Sequence, residues 1–265
     1  MSKLIWDQTA EHLYETGNDR AVVYPYNSTA KAYDKGYAWN GITGVTESPS
    51  GADETALYAD NIKYLSLRSA EEFGMTVTAY TYPDEFAELD GSAFPLPGVR
   101  IYQQARKTFG FSYRSIIGND TDANDYGYKL HLIYGLTASP SERGYSTVND
   151  SPEAIEFSWE MTGVPVAITG YKNSCEVTID STAFSTTEAK AKLTDLENIL
   201  WGTDAEDVYT EVTPVGTENP SEEGWYELVD DAYILSTDTS VNSSKSYYEK
   251  TTTGATDARL PLPDE

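Results

Sequence analysis

The stretch at residues 37–83 constrains the fold most. It holds two extended runs, 37–47 and 54–67, on either side of Ser48-Pro49-Ser50-Gly51. A Pro/Gly/Ser cluster between β-favouring runs is a turn signal, so the spacing predicts a long hairpin tipped at residues 48–51. A third run follows, in which Met75, Val77 and Ala79 alternate with Thr76, Thr78 and Tyr80. Period two marks a half-buried strand. No catalytic constellation lies here. The stretch is long, aromatic and rich in strand edges, which suits it to pairing with further strands.

The same period returns downstream. Phe109, Phe111 and Tyr113 alternate with small or polar residues, as do Leu130, Leu132, Tyr134 and Leu136. The cleanest case is Ile155, Phe157, Trp159 and Met161 against Glu156, Ser158 and Glu160. Such alternation predicts antiparallel sheets with one wet face. The 21 tyrosines and 5 tryptophans are residues that strands favour. Upstream, Gly17-Asn18-Asp19 between apolar runs predicts a first hairpin over 11–26. It leaves residues 1–9, with Trp6, as a free arm. Pro83 with the acids after it and Gly91 as a stop predict a two-turn helix. At residue 185 the period changes. Ser185-Thr186-Thr187-Glu188 reads as a capping box. Ala189, Leu193, Leu196 and Leu200 then form a helical stripe ending at Gly202, which predicts four turns packed on the sheet. The fold class is therefore mainly β and antiparallel, with one packed C-terminal α-helix.

The segment 206–250 differs. Eleven acids and two lysines give it a net −9, leaving −16 elsewhere from a total of −25. It also repeats: Asp207-Val208-Tyr209 with Trp225-Tyr226-Glu227 recurs as Asp231-Ala232-Tyr233 with Tyr247-Tyr248-Glu249. Each copy is expected to form one small hairpin, the two sharing an aromatic cluster. We read 206–253 as a small all-β module inserted between the helix and the tail 259–265, with 1–205 and 254–265 as the main domain. Neighbours on a strand face opposite ways. In Trp225-Tyr226 and Tyr247-Tyr248, one residue of each pair is expected in the module's core. The other faces outward as a candidate for stacking on sugar rings or a protein surface.

The charge disfavours binding to phosphate backbones. The single cysteine, Cys175, excludes an internal disulfide. The first twelve residues contain no apolar stretch of signal-peptide type, so synthesis in a cytoplasm without export is expected, and no run reaches membrane-spanning length. His12 and His131 lie far apart without a cysteine partner, so no metal or cofactor is expected. The acid-rich loop 120–125 departs from the EF-hand pattern at its sixth and twelfth positions. Hydrolase and phosphate-loop motifs are missing, and pairs such as Glu156/Glu160 mean little among 43 acids. An enzyme is not expected.

Several segments resemble one family. They are 38–65 (AWNGITGVTESPSGADETALYADNIKYL), 69–74 (SAEEFG), 79–86 (AYTYPDEF), 127–135 (GYKLHLIYG) and 144–155 (GYSTVNDSPEAI). They are similar to the major tail tube proteins of long-tailed phages of Gram-positive bacteria, over about residues 1–204 and 256–265. Segment 206–250 departs from that pattern and resembles repeat modules attached to phage tail proteins. The resemblance implies an antiparallel β-sandwich whose strands join between subunits into a barrel. Hexameric rings would stack into a tube in the virion, assembled in the host cytoplasm. Phage DNA would pass through unbound. Tape measure, tail terminator and distal tail proteins would be partners. On this reading Glu47, Asp53, Glu54, Glu156 and Glu160 are candidates for an acidic lumen, and Trp6, Ser48, Pro49, Arg259 and Leu260 for ring stacking. The module is expected to project outward, where adhesion to cell-surface or mucus glycans competes with passive decoration. The alternatives are the tube of a contractile tail or phage-like bacteriocin, and a glycan-binding adhesin unrelated to virions.

Overall fold

The computed structural model describes residues 4–264, apart from 142, 146, 148–153, 214–217, 230, 231 and 243, and the side chain of Glu222. Residues 1–3 of the expected arm, and Asp231 and Ser243 of the repeat, lie outside the described residues. The chain is mainly β with antiparallel sheets and few helices. It divides into two compact units, one of residues 1–201 with 258–265 and one of 202–257.

Unit 1 begins with β1 (Tyr14–Asn27) and the two-residue strands β2 (Ala32–Tyr33) and β3 (Tyr37–Ala38). The hairpin expected over 11–26 does not form. β1 is one 14-residue strand running antiparallel to β11 (Phe109–Asn119), from Tyr14 opposite Gly118 to Pro25 opposite Phe109. The Gly17-Asn18-Asp19 signal becomes bulges, with register shifts at Thr16/Asn18 and Asp19/Val22. A long partner keeps the chain extended, and the surplus residues are absorbed locally. Gly17 and Arg20 take positive φ there, and the Arg114 guanidinium grips Asp19 through two hydrogen bonds, of 2.7 and 2.5 Å.

The long hairpin exists, but its tip lies elsewhere. β4 (Ile42–Glu47) and β5 (Ser50–Gly51) both pair with β8 (Glu71–Ala79). Between them, β6 (Glu54–Ala59) pairs with β7 (Ile62–Arg68). The turn is Asp60-Asn61, both at positive φ, the geometry of the tight turns that close two-residue hairpins. Ser48 and Pro49 instead lie along the ribbon, with the Ser48 amide donating to the Gly74 carbonyl. The Asp/Asn pair won because its side chains tolerate the left-handed region.

After β8 come α1 (Asp84–Leu89) and the hairpin β9 (Ala93–Leu96) with β10 (Val99–Ile101). β11 is followed by β12 (Ala123–Ala138), β13 (Phe157–Gly163), β14 (Glu176–Asp180) and α2 (Thr187–Trp201). The main sheet runs β2-β1-β11-β12-β13-β8-β4, with β14 also paired to β12. Val166 and Ser174 form an isolated antiparallel bridge.

The centre of this sheet has no wet face, contrary to the expectation from alternation. Val23, Phe109, Phe111 and Ile133 pack on one side with Trp39, Phe86 and Trp159. Val22, Tyr24, Leu130, Leu132 and Tyr134 pack on the other with Leu193 and Leu200 of α2 and with Leu260. Gly110 and Ser112, the small residues between the aromatics, are buried too. At Gly110 a Cβ would come within 2.3 Å of Leu260. Leu136 changes face relative to Leu130, Leu132 and Tyr134, because Gly135, at φ +63°, sits in a register irregularity between Ile133 and Leu136. Each large side chain buried in these layers contributes about 1.5–3 kcal/mol. α2 is capped by Thr186, whose hydroxyl accepts from the Ala189 amide at 3.2 Å.

Unit 2 is a four-stranded sheet ordered β15 (Asp207–Val212), β18 (Tyr247–Thr252), β16 (Tyr226–Val229), β17 (Ala232–Leu235), with the short helix α3 (Pro220–Glu223). The repeat copies do not form separate hairpins. The first strand of each copy pairs with the second strand of the other: β15 with β18, and β17 with β16. Interlocking lets two halves, each too small to be stable, share one sheet. Equivalent rings make equivalent contacts. Tyr209 meets Tyr226 edge-on at 5.2 Å and Tyr233 meets Tyr248 at 5.0 Å, while Tyr209 and Tyr233 stack on each other at 3.9 Å.

Candidate functional site

The distal half of the hairpin is a two-stranded ribbon exposed on both faces. Tyr58 is 73% exposed, Ile62 64%, Tyr64 69% and Leu67 55%. An isolated two-stranded hairpin is marginal in water, and a contiguous apolar patch of this kind marks an interaction surface. Of the lumen candidates, Asp53 and Glu54 sit where β6 begins. The Asp53 amide is held by the Ser69 hydroxyl at 3.0 Å. Glu54 accepts from Lys63 and from the Ser66 hydroxyl and lies 3.6 Å from Arg68. The Lys63 hydrogen bond keeps its carboxyl below the ordinary range. Glu54 is thus neutralised on its own ribbon.

The ribbon's base joins a sheet region that does keep a wet face. Opposite buried Met75, Val77, Trp159 and Met161, it presents Thr46, Thr76, Thr78, Ser158 and Glu160, each paired with its neighbour across the strands. Glu160 lies open there, and Glu156 accepts from the Thr43 hydroxyl close by. β4, β8 and β13 contain no lysine or arginine. The surface is one of hydroxyls and carboxylates.

Glu47 ends β4 in a more enclosed setting. Its carboxylate accepts from the Tyr113 hydroxyl at 2.7 Å and lies 3.9 Å from His131 Nδ1. Glu176 of β14 lies 3.1 Å from the same nitrogen, and that contact holds its carboxyl below the usual range. Burial and the Glu47 carboxylate push the Tyr113 hydroxyl well above its ordinary value. This meeting was invisible in the sequence, because positions 47, 131 and 176 belong to three strands that only the sheet order brings together.

The ring-stacking candidates separate. Trp6 is 71% exposed on a segment tied down at the Ala10 amide and His12, which bond Asp120 at 2.9 and 3.1 Å. Arg259 is exposed. Leu260 is not a surface residue: it is fully packed between α2 and the sheet. The tail 259–264 is therefore a docked part of unit 1. The Arg259 amide bonds the Ile199 carbonyl at 2.8 Å, and Asp264 accepts from the Thr169 amide and hydroxyl at 2.8 and 2.9 Å. An extended segment rich in Leu and Pro buried Leu260 and Pro261 and packed Leu262 partly against the same cluster.

In unit 2, Tyr247 is fully buried and is not a surface ligand site. Its hydroxyl donates to Asp238 at 2.7 Å, and Trp225 packs on its ring at 5.8 Å. Lys245 bridges Asp238 and Glu227 at 2.9 and 2.8 Å. Tyr226 and Tyr248 belong to the tyrosine cluster of the other face, partly exposed. Among the described residues no helix is long and apolar enough to cross a membrane. No protein-family model and no curated protein matches the chain.

Proposed function

We propose that this chain is a virion structural protein, the tube subunit of a long-tailed phage tail, whose hexameric rings stack into a conduit for genomic DNA. The observation that carries the reading is the 42–79 ribbon. Half of it is unpaired beyond its own two strands and carries exposed Tyr58, Ile62, Tyr64 and Leu67, so neighbouring copies are the natural cover for its edges. A ring whose contacts also repeat along an axis grows into a filament. The wet face of β4, β8 and β13 supports the reading as a lumen wall. Hydroxyls and carboxylates without a basic residue give phosphates no attractive partner, so DNA slides past. Tape measure, terminator and distal tail proteins are the partners this function requires. The protein has no enzymatic role in this scheme.

Unit 2 decorates the tube. Its entry and exit run side by side, since Thr203 and Thr256 exchange two backbone hydrogen bonds of 3.0 Å. Adhesion to surface glycans through Tyr226, Tyr233 and Tyr248 is the role its aromatic face supports. Negative-stain microscopy of the purified chain tests the main reading. Rings or tubes are expected, and a protein that stays monomeric at high concentration by light scattering rejects it.

A further inference from the structure

Glu47, His131 and Glu176 offer three ligand atoms within 4.8 Å of one another. They come from β4, β12 and β14, so the sheet, not a flexible loop, sets their spacing. Each is steadied from behind. The Ser115 hydroxyl bonds His131 Nε2 at 3.0 Å, which turns Nδ1 toward the two carboxylates. The Tyr113 ring stacks on the imidazole at 4.4 Å and 2°. The Tyr113 hydroxyl bonds Glu47 Oε1, and the Thr178 hydroxyl bonds Glu176 Oε1 at 3.0 Å. Among the described residues, no lysine or arginine forms an ion pair with either glutamate. Lys129, two residues before His131 on β12, pairs with Glu15 instead.

We infer that these three residues form a site for one divalent transition-metal ion of the zinc type. Two carboxylates, that of the exposed Glu47 and that of the part-buried Glu176, converge on one imidazole without a lysine or arginine partner, an arrangement that a bound cation would balance. An imidazole nitrogen beside two carboxylate oxygens suits Zn2+, Co2+ or Ni2+ better than Mg2+ or Ca2+. Ligand atoms around a tetrahedral zinc lie roughly 3.3 Å apart, given metal–ligand bonds of about 2.0–2.2 Å. The His131–Glu176 spacing of 3.1 Å is already near that value, and the His131–Glu47 spacing of 3.9 Å closes with a small side-chain shift. The partly exposed side leaves room for water to complete the coordination. Hydroxyls and a stacked ring behind the ligands are the kind of support that orients metal-binding side chains. The bound ion would pin the base of the ribbon, at Glu47, to the β12–β14 region of the sheet.

The test uses the full-length chain, stripped with chelator and titrated with Zn2+ by calorimetry in excess Mg2+, which occupies the exposed acids. One saturable site per chain is expected, with Zn2+ bound at least ~100-fold more tightly than Mg2+ or Ca2+. His131→Gln and Glu176→Gln should each weaken it by about tenfold or more, and Ser115→Ala by about tenfold. His12→Gln, which alters the other histidine–carboxylate cluster, should leave it unchanged. Co2+ added to the unaltered chain should give a visible spectrum of low-coordinate nitrogen and oxygen ligation, a readout that needs no variant to fold. Absence of a saturable site, equal affinity for Mg2+, or a Zn2+ affinity that survives His131→Gln overturns the assignment.

Discussion

Replacing Tyr58, Ile62, Tyr64 and Leu67 together by serine separates the ribbon's role in assembly from any role in folding. Full burial of such a side chain is worth about 1.5–3 kcal/mol. Roughly two thirds of each is exposed in the single chain. Covering them by a neighbouring copy would therefore contribute about 1–2 kcal/mol apiece, or about 4–8 kcal/mol for the four. At 1.4 kcal/mol per tenfold, that corresponds to about three to six decades in association constant. Exposed positions contribute little to the fold itself, so the melting temperature should move by only a degree or two. The assay is pelleting and electron microscopy across a concentration series, with thermal melting alongside. The critical concentration for polymers should rise at least a thousandfold. Unchanged polymerisation would refute the argument that this ribbon is completed by neighbouring copies, and a collapsed melting temperature would show that it belongs to the fold of the single chain.

Leu260→Ala should destabilise unit 1 by about 2–5 kcal/mol in urea unfolding, the cost of a core cavity rather than of a trimmed arm. Replacing 202–257 by a short Gly-Ser link should leave unit 1 folded and polymerising, because Ile199 and Arg259 already meet through a backbone hydrogen bond; loss of tubes would make unit 2 architectural. Lys245 and the Tyr247 hydroxyl hold the Asp238 carboxyl below its ordinary range. It therefore contributes stability above that range, which is lost as pH falls through the depressed value. Hydrogen-exchange protection of β16 and β18 should decline on acidification, less so in Asp238→Asn, and equal acid sensitivity of the two proteins would dismiss the coupling. Gly135→Ala should be strongly destabilising, since its Cβ would meet the Val164 carbonyl at 2.3 Å, a clash that urea unfolding reads directly.

Much of the element content was legible because it rests on local chemistry. Of the 155–161 alternation, the part from Phe157 onward formed a strand, with Trp159 and Met161 inward and Glu160 outward. The stripe through Leu193 and Leu200 formed α2, with Thr186 rather than Ser185 as its cap. What failed was pairing. Gly17-Asn18-Asp19 and Ser48-Pro49-Ser50-Gly51 are equally good turn signals in isolation, and both were overruled by long partner strands, β11 and β8. The turn that closes the ribbon is Asp60-Asn61, both at positive φ, a position the reading of 48–51 as the tip passed over.

The sequence alone determined the antiparallel strand periodicity, the helix, the acidity and the repeat, since each depends on residues a few positions apart. Tertiary structure alone decided that the central sheet is buried on both faces, because that depends on α2 and the tail arriving to cover it. It decided that Leu260 and Tyr247 are core, that the repeat copies interlock strand by strand, and that Glu47, His131 and Glu176 converge. In each case the deciding contact joins residues distant in the chain, and neither spacing nor composition encodes which strands lie side by side.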